Sequence, residues 1–208
     1  MKSQDNIPKA VIRRLPHYLR TLEELQRKGI NKISSKELSE QIGYTASQIR
    51  QDLNHFGGFG QQGYGYNVDN LYNEIEKILG LNKAYSVVIV GCGKLGYALT
   101  NFMESYEEGF SIAAVFDSSD KIIGTQVGKT IVQDVKDLPE FLKDNTVDIG
   151  VITVTKDAAQ SVANTLKTGG VRGIWNFAPL DIQDMEEIPV ENAHLSDGLR
   201  ALIYYINH

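Results

Sequence analysis

Val87-Val88-Ile89-Val90-Gly91-Cys92-Gly93-Lys94-Leu95-Gly96 is an apolar run that passes straight into a G-x-G-x-x-G pattern. A helical segment follows, and Asp117 closes the next apolar run, Ile112-Ala113-Ala114-Val115-Phe116-Asp117, 21 positions after Gly96. Strand, glycine turn, helix and acid in that order form a dinucleotide-binding fingerprint rather than an isolated glycine triplet. Gly91 allows the tight turn, Gly93 lets the backbone approach a pyrophosphate, and Gly96 lets the helix pack close to the strand. The helix N-terminus offers N–H groups and a partial positive charge to the phosphates. Asp117 is expected to accept hydrogen bonds from the adenosine ribose hydroxyls. Its carboxylate repels a 2′-phosphate, so the expected cofactor is NAD(H) rather than NADP(H). Gly91, Cys92, Gly93, Lys94, Leu95, Gly96 and Asp117 are therefore cofactor-binding candidates.

This fingerprint begins about 90 residues into a chain of 208, so a separate module precedes it. The composition, 42% hydrophobic and 23% charged, is that of an ordinary globular protein. No apolar run approaches the length of a membrane span, and Met1-Lys2-Ser3-Gln4-Asp5 has no signal-peptide character. A single cysteine, Cys92, excludes an internal disulfide and fits a reducing, cytoplasmic location. It stands inside the glycine loop, where a small side chain is tolerated. The net charge of −5 is unevenly spread: residues 1–66 carry ten Lys/Arg against six Asp/Glu, and residues 67–208 carry eleven against twenty. A basic first module on an acidic remainder points to a polyanionic partner for the first module only.

Residues 9–28 carry Val11, Ile12, Leu15, Leu19, Leu22 and Leu25 at three- and four-residue steps, which predicts a helix that Gly29 stops and Pro16 interrupts. Ser34-Ser35-Lys36-Glu37 is a capping box that opens a second helix, Ser35 to Ile42, and Gly43 ends it. Thr45-Ala46-Ser47-Gln48 opens a third, reaching about His55. Two short helices across a three-residue turn with a glycine have the form of a helix-turn-helix. On the third helix Ile49, Leu53 and Phe56 share one face. Ser47, Gln48, Arg50, Gln51 and Asn54 lie elsewhere, with side chains able to reach base edges and phosphates. Residues 56–66, with five glycines and four aromatics in eleven positions, read as a β-hairpin wing. In that reading Phe59 is exposed at the tip and the backbone at Gly60 and Gly63 lies close to phosphates. The alternative is a linker whose aromatics pack back on the helices. Arg13 and Arg14 complete the DNA-binding candidates. Asn67 to Leu79 is a further helix.

After Asp117 the alternation of helix and strand continues. A short helix spans Pro139 to Lys143, a central strand 147–154, a helix Ala158 to Lys167 and a strand 173–177. This is an α/β domain with a parallel sheet. Ligands of such sheets bind at the carboxyl ends of the strands, which places Thr153, Thr155, Asn176, Phe177, Ala178 and Pro179 around the nicotinamide end. Ser196 caps a last helix to Asn207, whose apolar stripe packs either on this domain or on a second subunit. The expected division is 1–80, 84–192 and 193–208. The nucleotide half contains only His194 and His208 as histidines, no metal-ligand spacing, and no substrate domain after it. The chain is thus built to bind a dinucleotide rather than to use it in catalysis.

A winged helix, a Rossmann domain and a terminal helix within about 210 residues resemble the Rex family of redox-sensing transcriptional repressors. The resemblance covers nearly the whole chain. It rests on Gln48-Ile49-Arg50-Gln51-Asp52-Leu53 running into the Phe-Gly-Phe-Gly stretch, on Gly91 to Gly96, and on Gly173-Ile174-Trp175-Asn176-Phe177-Ala178-Pro179. It implies a homodimer on a palindromic double-stranded operator, in competition with RNA polymerase, released by NADH and not by NAD⁺. The implied targets are genes of fermentation, anaerobic respiration and NADH reoxidation, and the terminal helix is swapped between subunits. Some positions depart from the family pattern. Gln51 and Gln62 stand where Lys and Arg are usual, and Lys94 where Asn is common. Phe102 and His194 replace a Tyr and an Asp that the family uses with an arginine matching Arg20 as a polar switch. Asp197 is the nearest substitute carboxylate. Two rival readings remain: a small NAD-dependent oxidoreductase, and a coenzyme A-binding domain, against which Asp117 argues because coenzyme A carries a ribose 3′-phosphate.

Overall fold

The computed structural model describes residues 7–57, 59, 65–105, 109–182, 185 and 188–208. The chain divides into two compact units, 1–83 and 84–208.

In the first unit α1 (Lys9–Arg27) buries Val11, Leu15, Tyr18, Leu22 and Leu25 along one stripe. It continues through Pro16, which is exposed. The proline removes one helical hydrogen bond, but packing of the apolar stripe on both sides of it holds the helix together. After the two-residue strand β1 (Lys32–Ile33), α2 (Ser35–Ile42) is opened by a full capping box: Glu37 N–H donates to Ser34 Oγ at 3.1 Å and Ser34 N–H to Glu37 Oε2 at 2.7 Å. Glu37 is correspondingly held below the usual carboxylate range by its bonds to Ser34. α3 (Ala46–Asn54) follows after Gly43, Tyr44 and Thr45, with Thr45 as N-cap. β2 (Tyr66–Asn67) pairs antiparallel with β1, and α4 (Val68–Leu79) starts under an Asn67 cap and packs on α1. The β1–β2 pair has no clear signal in the sequence because each strand is only two residues long. Gly60 and Gly63, and the wing reading of their hairpin, lie outside the described residues.

A buried carboxylate ties this unit together. Asp52, 3% exposed, accepts two bonds from Arg14, Nε at 2.6 Å and Nη2 at 2.7 Å, and a third from Tyr18 Oη at 2.5 Å. Burial raises the Asp52 pKa, but the bonds from Arg14 and Tyr18 outweigh it and hold the carboxyl below its ordinary value of 3.8. Burial and the bond to Asp52 push the Tyr18 phenol well up.

In the second unit β3 (Tyr85–Val90), α5 (Lys94–Ser105) and β4 (Phe110–Asp117) form the first crossover. A hairpin of β5 (Gln126–Val127) and β6 (Thr130–Asp134) comes next, followed by a 3₁₀ turn and α6 (Leu138–Asp144). β7 (Ile149–Ile152), α7 (Lys156–Thr168), β8 (Gly173–Asn176), β9 (Val190–Asn192) and α8 (Leu195–Asn207) complete it. The sheet order is β5-β6-β4-β3-β7-β8-β9, parallel except for β5. Leaving out β5, this is the 3-2-1-4-5-6 order of a Rossmann sheet. Val88, Val90 and Phe116 face α6 and α7, while Val87, Ile89 and Val115 face the α5 side. Burial on both faces is why these strands read as unbroken apolar runs. Ser196 is not the cap of α8: the N-cap position is His194, without a side-chain cap bond.

Replacing Asp52 by Asn strands the Arg14 charge. The expected cost to the first unit is about 2–3 kcal/mol, the low side of breaking a buried pair, because the Arg14 side chain keeps 18% accessibility. The Asp52 pKa is lower folded than unfolded, so its contribution is full above the unfolded value and disappears as pH falls through the folded one. Native-state hydrogen exchange of α1 and α3 amides should show wild type and Asp52→Asn converging in acid; a difference constant with pH would contradict this.

Candidate functional site

The order of the sheet reverses between β3 and β7, and the chain leaves both strands there at their carboxyl ends. Gly91 takes φ +101° and Gly96 sits against it: a Cβ on Gly96 would lie 1.8 Å from Gly91 O, and one on Gly91 would lie 2.8 Å from the Thr153 backbone. Thr153 Oγ1 donates to Gly91 O at 2.6 Å and approaches Val90 O at 3.1 Å. Both glycines are therefore required by the fold itself. Gly93 is different. It is exposed, and a Cβ built on it meets no atom within 4 Å. Its lack of a side chain is unexplained by the packing of the chain and fits a backbone left bare for a ligand's approach.

Asp117 stands at the end of β4, half-buried. Its Oδ2 accepts the Cys92 N–H at 2.6 Å and its Oδ1 the Ser119 N–H at 2.8 Å. Each oxygen retains a lone pair, so the carboxylate is oriented and still able to accept ribose hydroxyls. Cys92 is 6% exposed, and burial together with the Asp117 charge pushes its thiol up, which makes it a packing residue and a poor nucleophile. Lys94 is exposed at the first turn of α5, beside a half-buried Leu95. These residues fit a dinucleotide: glycine loop and Lys94 for the pyrophosphate, Asp117 for the ribose.

At the other end of the crevice Thr155 is exposed at the start of α7 and Thr153 is half-buried. Phe177 is partly buried against Trp175, ring centroids 4.5 Å apart, and Pro179 is exposed. Asn176 and Ala178 turn their side chains into the chain itself. Ala178 is 2% exposed within the α6–α7 core, and Asn176, 1% exposed, uses its side-chain amide wholly on the chain itself.

On α3 the residues Ser47, Arg50, Gln51 and Asn54 form one exposed face, with Gln48 half-buried beside it and Ile49, Asp52 and Leu53 turned inward. Arg50 Nη1 donates to Ser35 Oγ at 2.9 Å, and Arg13 is exposed on α1. Two expected contacts are corrected. Arg14 faces inward to Asp52, so it organises the unit instead of presenting a free charge. Phe59 packs partly buried against the helical core instead of standing exposed at a tip. Asp52 is the organising residue that sequence reasoning passed over: its bonds to Arg14 and Tyr18 hold α3 to α1. The signal was available: a carboxylate on the inward face with Ile49 and Leu53 needs a cationic or hydrogen-bonding partner from inside.

Arg20 is exposed on α1 and Phe102 is 54% exposed on α5. His194 Nε2 meets Asp181 Oδ1 at 2.6 Å, and Asp197, the substitute carboxylate considered above, lies 3.8 Å from Arg200. The carboxylate beside His194 is thus Asp181. No group of three or more potential metal ligands occurs among the described residues, and no helix among them is long and apolar enough to cross a membrane.

Two family models match the chain, "Putative DNA-binding protein N-terminus" over residues 6–54 and "CoA binding domain" over 82–180. The redox-sensing transcriptional repressor Rex of Clostridium novyi (strain NT) is 51% identical over 207 residues, covering 100% of this chain and 99% of that protein. Rex of Clostridium perfringens (strain 13 / Type A) is 50% identical over 208 residues, covering 100% and 98%. Among solved structures, RSP in complex with beta-NAD+ and operator DNA superposes with a TM-score of 0.91 at 48% identity, covering 97% of this chain and 93% of that one. RSP in complex with beta-NADH gives 0.89 at 45%, covering 97% and 94%. RSP is itself described as a Rex-family repressor.

The two kinds of glycine separate in a pair of variants. Gly93→Ala should leave the melting temperature within about 2 °C yet weaken NADH binding at least about tenfold, since only the ligand's approach is obstructed. Gly96→Ala should lower the melting temperature and abolish binding together. Calorimetric titration beside thermal melts checks this, and a Gly93→Ala protein that binds NADH normally would remove the loop from the site.

Proposed function

Because the chain belongs to the Rex family of redox-sensing transcriptional repressors, we propose that it binds operator DNA through α3 as a homodimer and is released from it by NADH. One observation carries the reading: a single chain holds both an outward polar face on a helix-turn-helix and a bare-backbone dinucleotide cradle, and its whole length matches a protein whose structure holds beta-NAD+ and operator DNA together. It is a repressor rather than an enzyme, and NAD⁺ and NADH are its ligands rather than reactants.

The residues divide the work. Ser47, Gln48, Arg50, Gln51 and Asn54 face the major groove and Arg13 a phosphate. Gly93, Lys94 and Asp117 hold the part of the dinucleotide that both redox forms share. Phe177 and Pro179 wall the nicotinamide end, where the oxidised ring carries a positive charge that an apolar wall disfavours. NADH then binds more tightly, and it shifts the protein only through that difference in affinity for its two states. Asp117 also favours NAD(H) over coenzyme A, although the matching fold model is described as CoA-binding.

The dimer rests on α8. None of its residues is buried, and Leu195, Leu199, Leu202, Ile203 and Ile206 are 51–72% exposed. Covering such a stripe contributes on the order of 10 kcal/mol before the costs of association, which is ample for a second copy of the chain. A dimer carries two α3 helices, which must enter major grooves about one turn, ~34–36 Å, apart or a multiple of it. A rotation of the subunits that breaks this spacing releases the DNA.

At fixed salt, fluorescence anisotropy on a labelled palindromic promoter fragment should show release by NADH, little effect of NAD⁺, and none of coenzyme A. An NADH complex with full operator affinity would refute the reading. Leu202→Glu should give a monomer by ultracentrifugation and cost at least about a hundredfold in operator affinity, since two half-sites are then no longer linked.

A further inference from the structure

The six residues after β8, 177–182, pass the carboxyl end of the sheet and are held by the chain in a closed set of bonds. Asn176 Nδ2 donates to Leu180 O at 2.7 Å and to Asn192 Oδ1 at 2.8 Å, and Asn176 Oδ1 accepts the Ala178 N–H at 3.0 Å. Asn192 Oδ1 accepts a second bond from Ile182 N–H at 3.2 Å, and Asn192 Nδ2 donates to Ile182 O at 3.4 Å. Ala193 N–H donates to Asn176 O at 2.8 Å, and Asp181 Oδ1 meets His194 Nε2 at 2.6 Å. Asn192 and His194 thus grip the loop, Ala193 between them is tied to Asn176 at the loop's root, and α8 begins at the next residue. Asn176 is 1% exposed, so breaking its bonds in place leaves unsatisfied buried polar groups. A network of this kind is displaced whole more cheaply than it is opened.

We propose that Asn176, Asn192 and the Asp181–His194 pair are positioning residues that join the 177–182 loop to the root of α8 as one body. A displacement of Phe177 or Pro179 by the nicotinamide is thereby delivered to the one long helix whose apolar stripe the chain leaves uncovered among the described residues. This rests on the reading of the chain as an NADH-released repressor. It explains why a buried asparagine stands at the root of the loop with its side-chain amide spent on the chain itself. It also gives His194 a carboxylate partner within its own unit.

The experiment measures the coupling factor, the ratio of operator Kd with saturating NADH to operator Kd without it. Asn192→Ala removes three of the bonds while leaving the glycine loop and α3 unchanged. The factor should fall about tenfold, with the operator Kd of nucleotide-free protein and the NADH Kd of DNA-free protein each within about threefold of wild type. Hydrogen exchange at Ala193 to Leu199 should respond to NADH in wild type and not in the variant, a response that a merely structural residue would not alter selectively. An unchanged coupling factor overturns the proposal, as does a parallel loss of both affinities with the factor retained. Asp181→Asn, at a side chain 67% exposed, covers the case in which Asn192→Ala does not fold. Its coupling factor should fall about threefold, and an unchanged factor counts equally against the proposal. A wild-type protein that NADH does not release would overturn the parent reading instead, and the hydrogen-exchange comparison would still decide whether loop and helix root move together.

Discussion

Gly96 lies so close to the carbonyl oxygen of Gly91 that a methyl group on it would fall 1.8 Å away, and Thr153 Oγ1 donates to that same oxygen from the end of the neighbouring strand. This contact draws the first turn of α5 onto the exit of β3 and fastens both to β7, the place where the sheet order reverses. With the loop pinned there, its next free positions, Gly93 and Lys94, are turned to solvent at the amino end of a helix, where backbone N–H groups and the helix dipole favour phosphate. Asp117 is oriented by the same construction, because one of its two backbone partners is the N–H of Cys92 inside the loop. The cradle is therefore rigid before any ligand arrives, and little binding energy has to be spent on ordering it.

The first unit solves an opposite electrostatic problem. The proposed DNA-reading helix α3 carries a carboxylate near its centre, which a polyanion would repel. Asp52 is tolerated because Arg14 and Tyr18 from α1 satisfy it from the inner side, so the charge is cancelled before it reaches the outer face. The two bonds from the Arg14 fork are directional, and they fix the roll of α3 against α1 more sharply than apolar contact does. What remains outward is Ser47, Arg50, Gln51 and Asn54, positions of one helical face.

Much of this is legible in the sequence because it depends on local chemistry. The Ser34–Glu37 box, Gly43, Thr45 and the Asn67 cap mark their helices to within a residue or two, and the glycine loop with Asp117 marks the site. The parts that were not legible depend on partners far away in the chain. β6 is an interior member of the sheet and β9 an edge, yet each is only three to five residues long, and β9 carries just one strongly apolar residue. Arg14 and Asp52 are 38 positions apart and Asn176 and Asn192 are 16 apart. As isolated letters Arg14 reads as a surface residue ready for phosphate and Asn176 as one ready for a ligand. Only the fold shows that their polar atoms are already spent.

The distribution of these residues bears on what a redox sensor can measure. NAD⁺ and NADH share adenosine, ribose and pyrophosphate, so in the proposed site Gly93, Lys94 and Asp117 would meet the same groups in both. Interactions equal in two states change affinity without changing preference. The cradle accordingly sets how much total dinucleotide occupies the protein, and it has no means of distinguishing the forms. Discrimination has to arise where the molecules differ, at the nicotinamide, which the proposed site sets beside the threonines after β7 and the loop after β8. A sensor that reports a ratio needs its selective contact and its output element joined by something stiff, since a compliant link would dissipate a preference worth only a few kcal/mol. In the proposed coupling the paired asparagines supply that stiffness. The burial of Asn176 makes the bonds at the root of that loop costly to open.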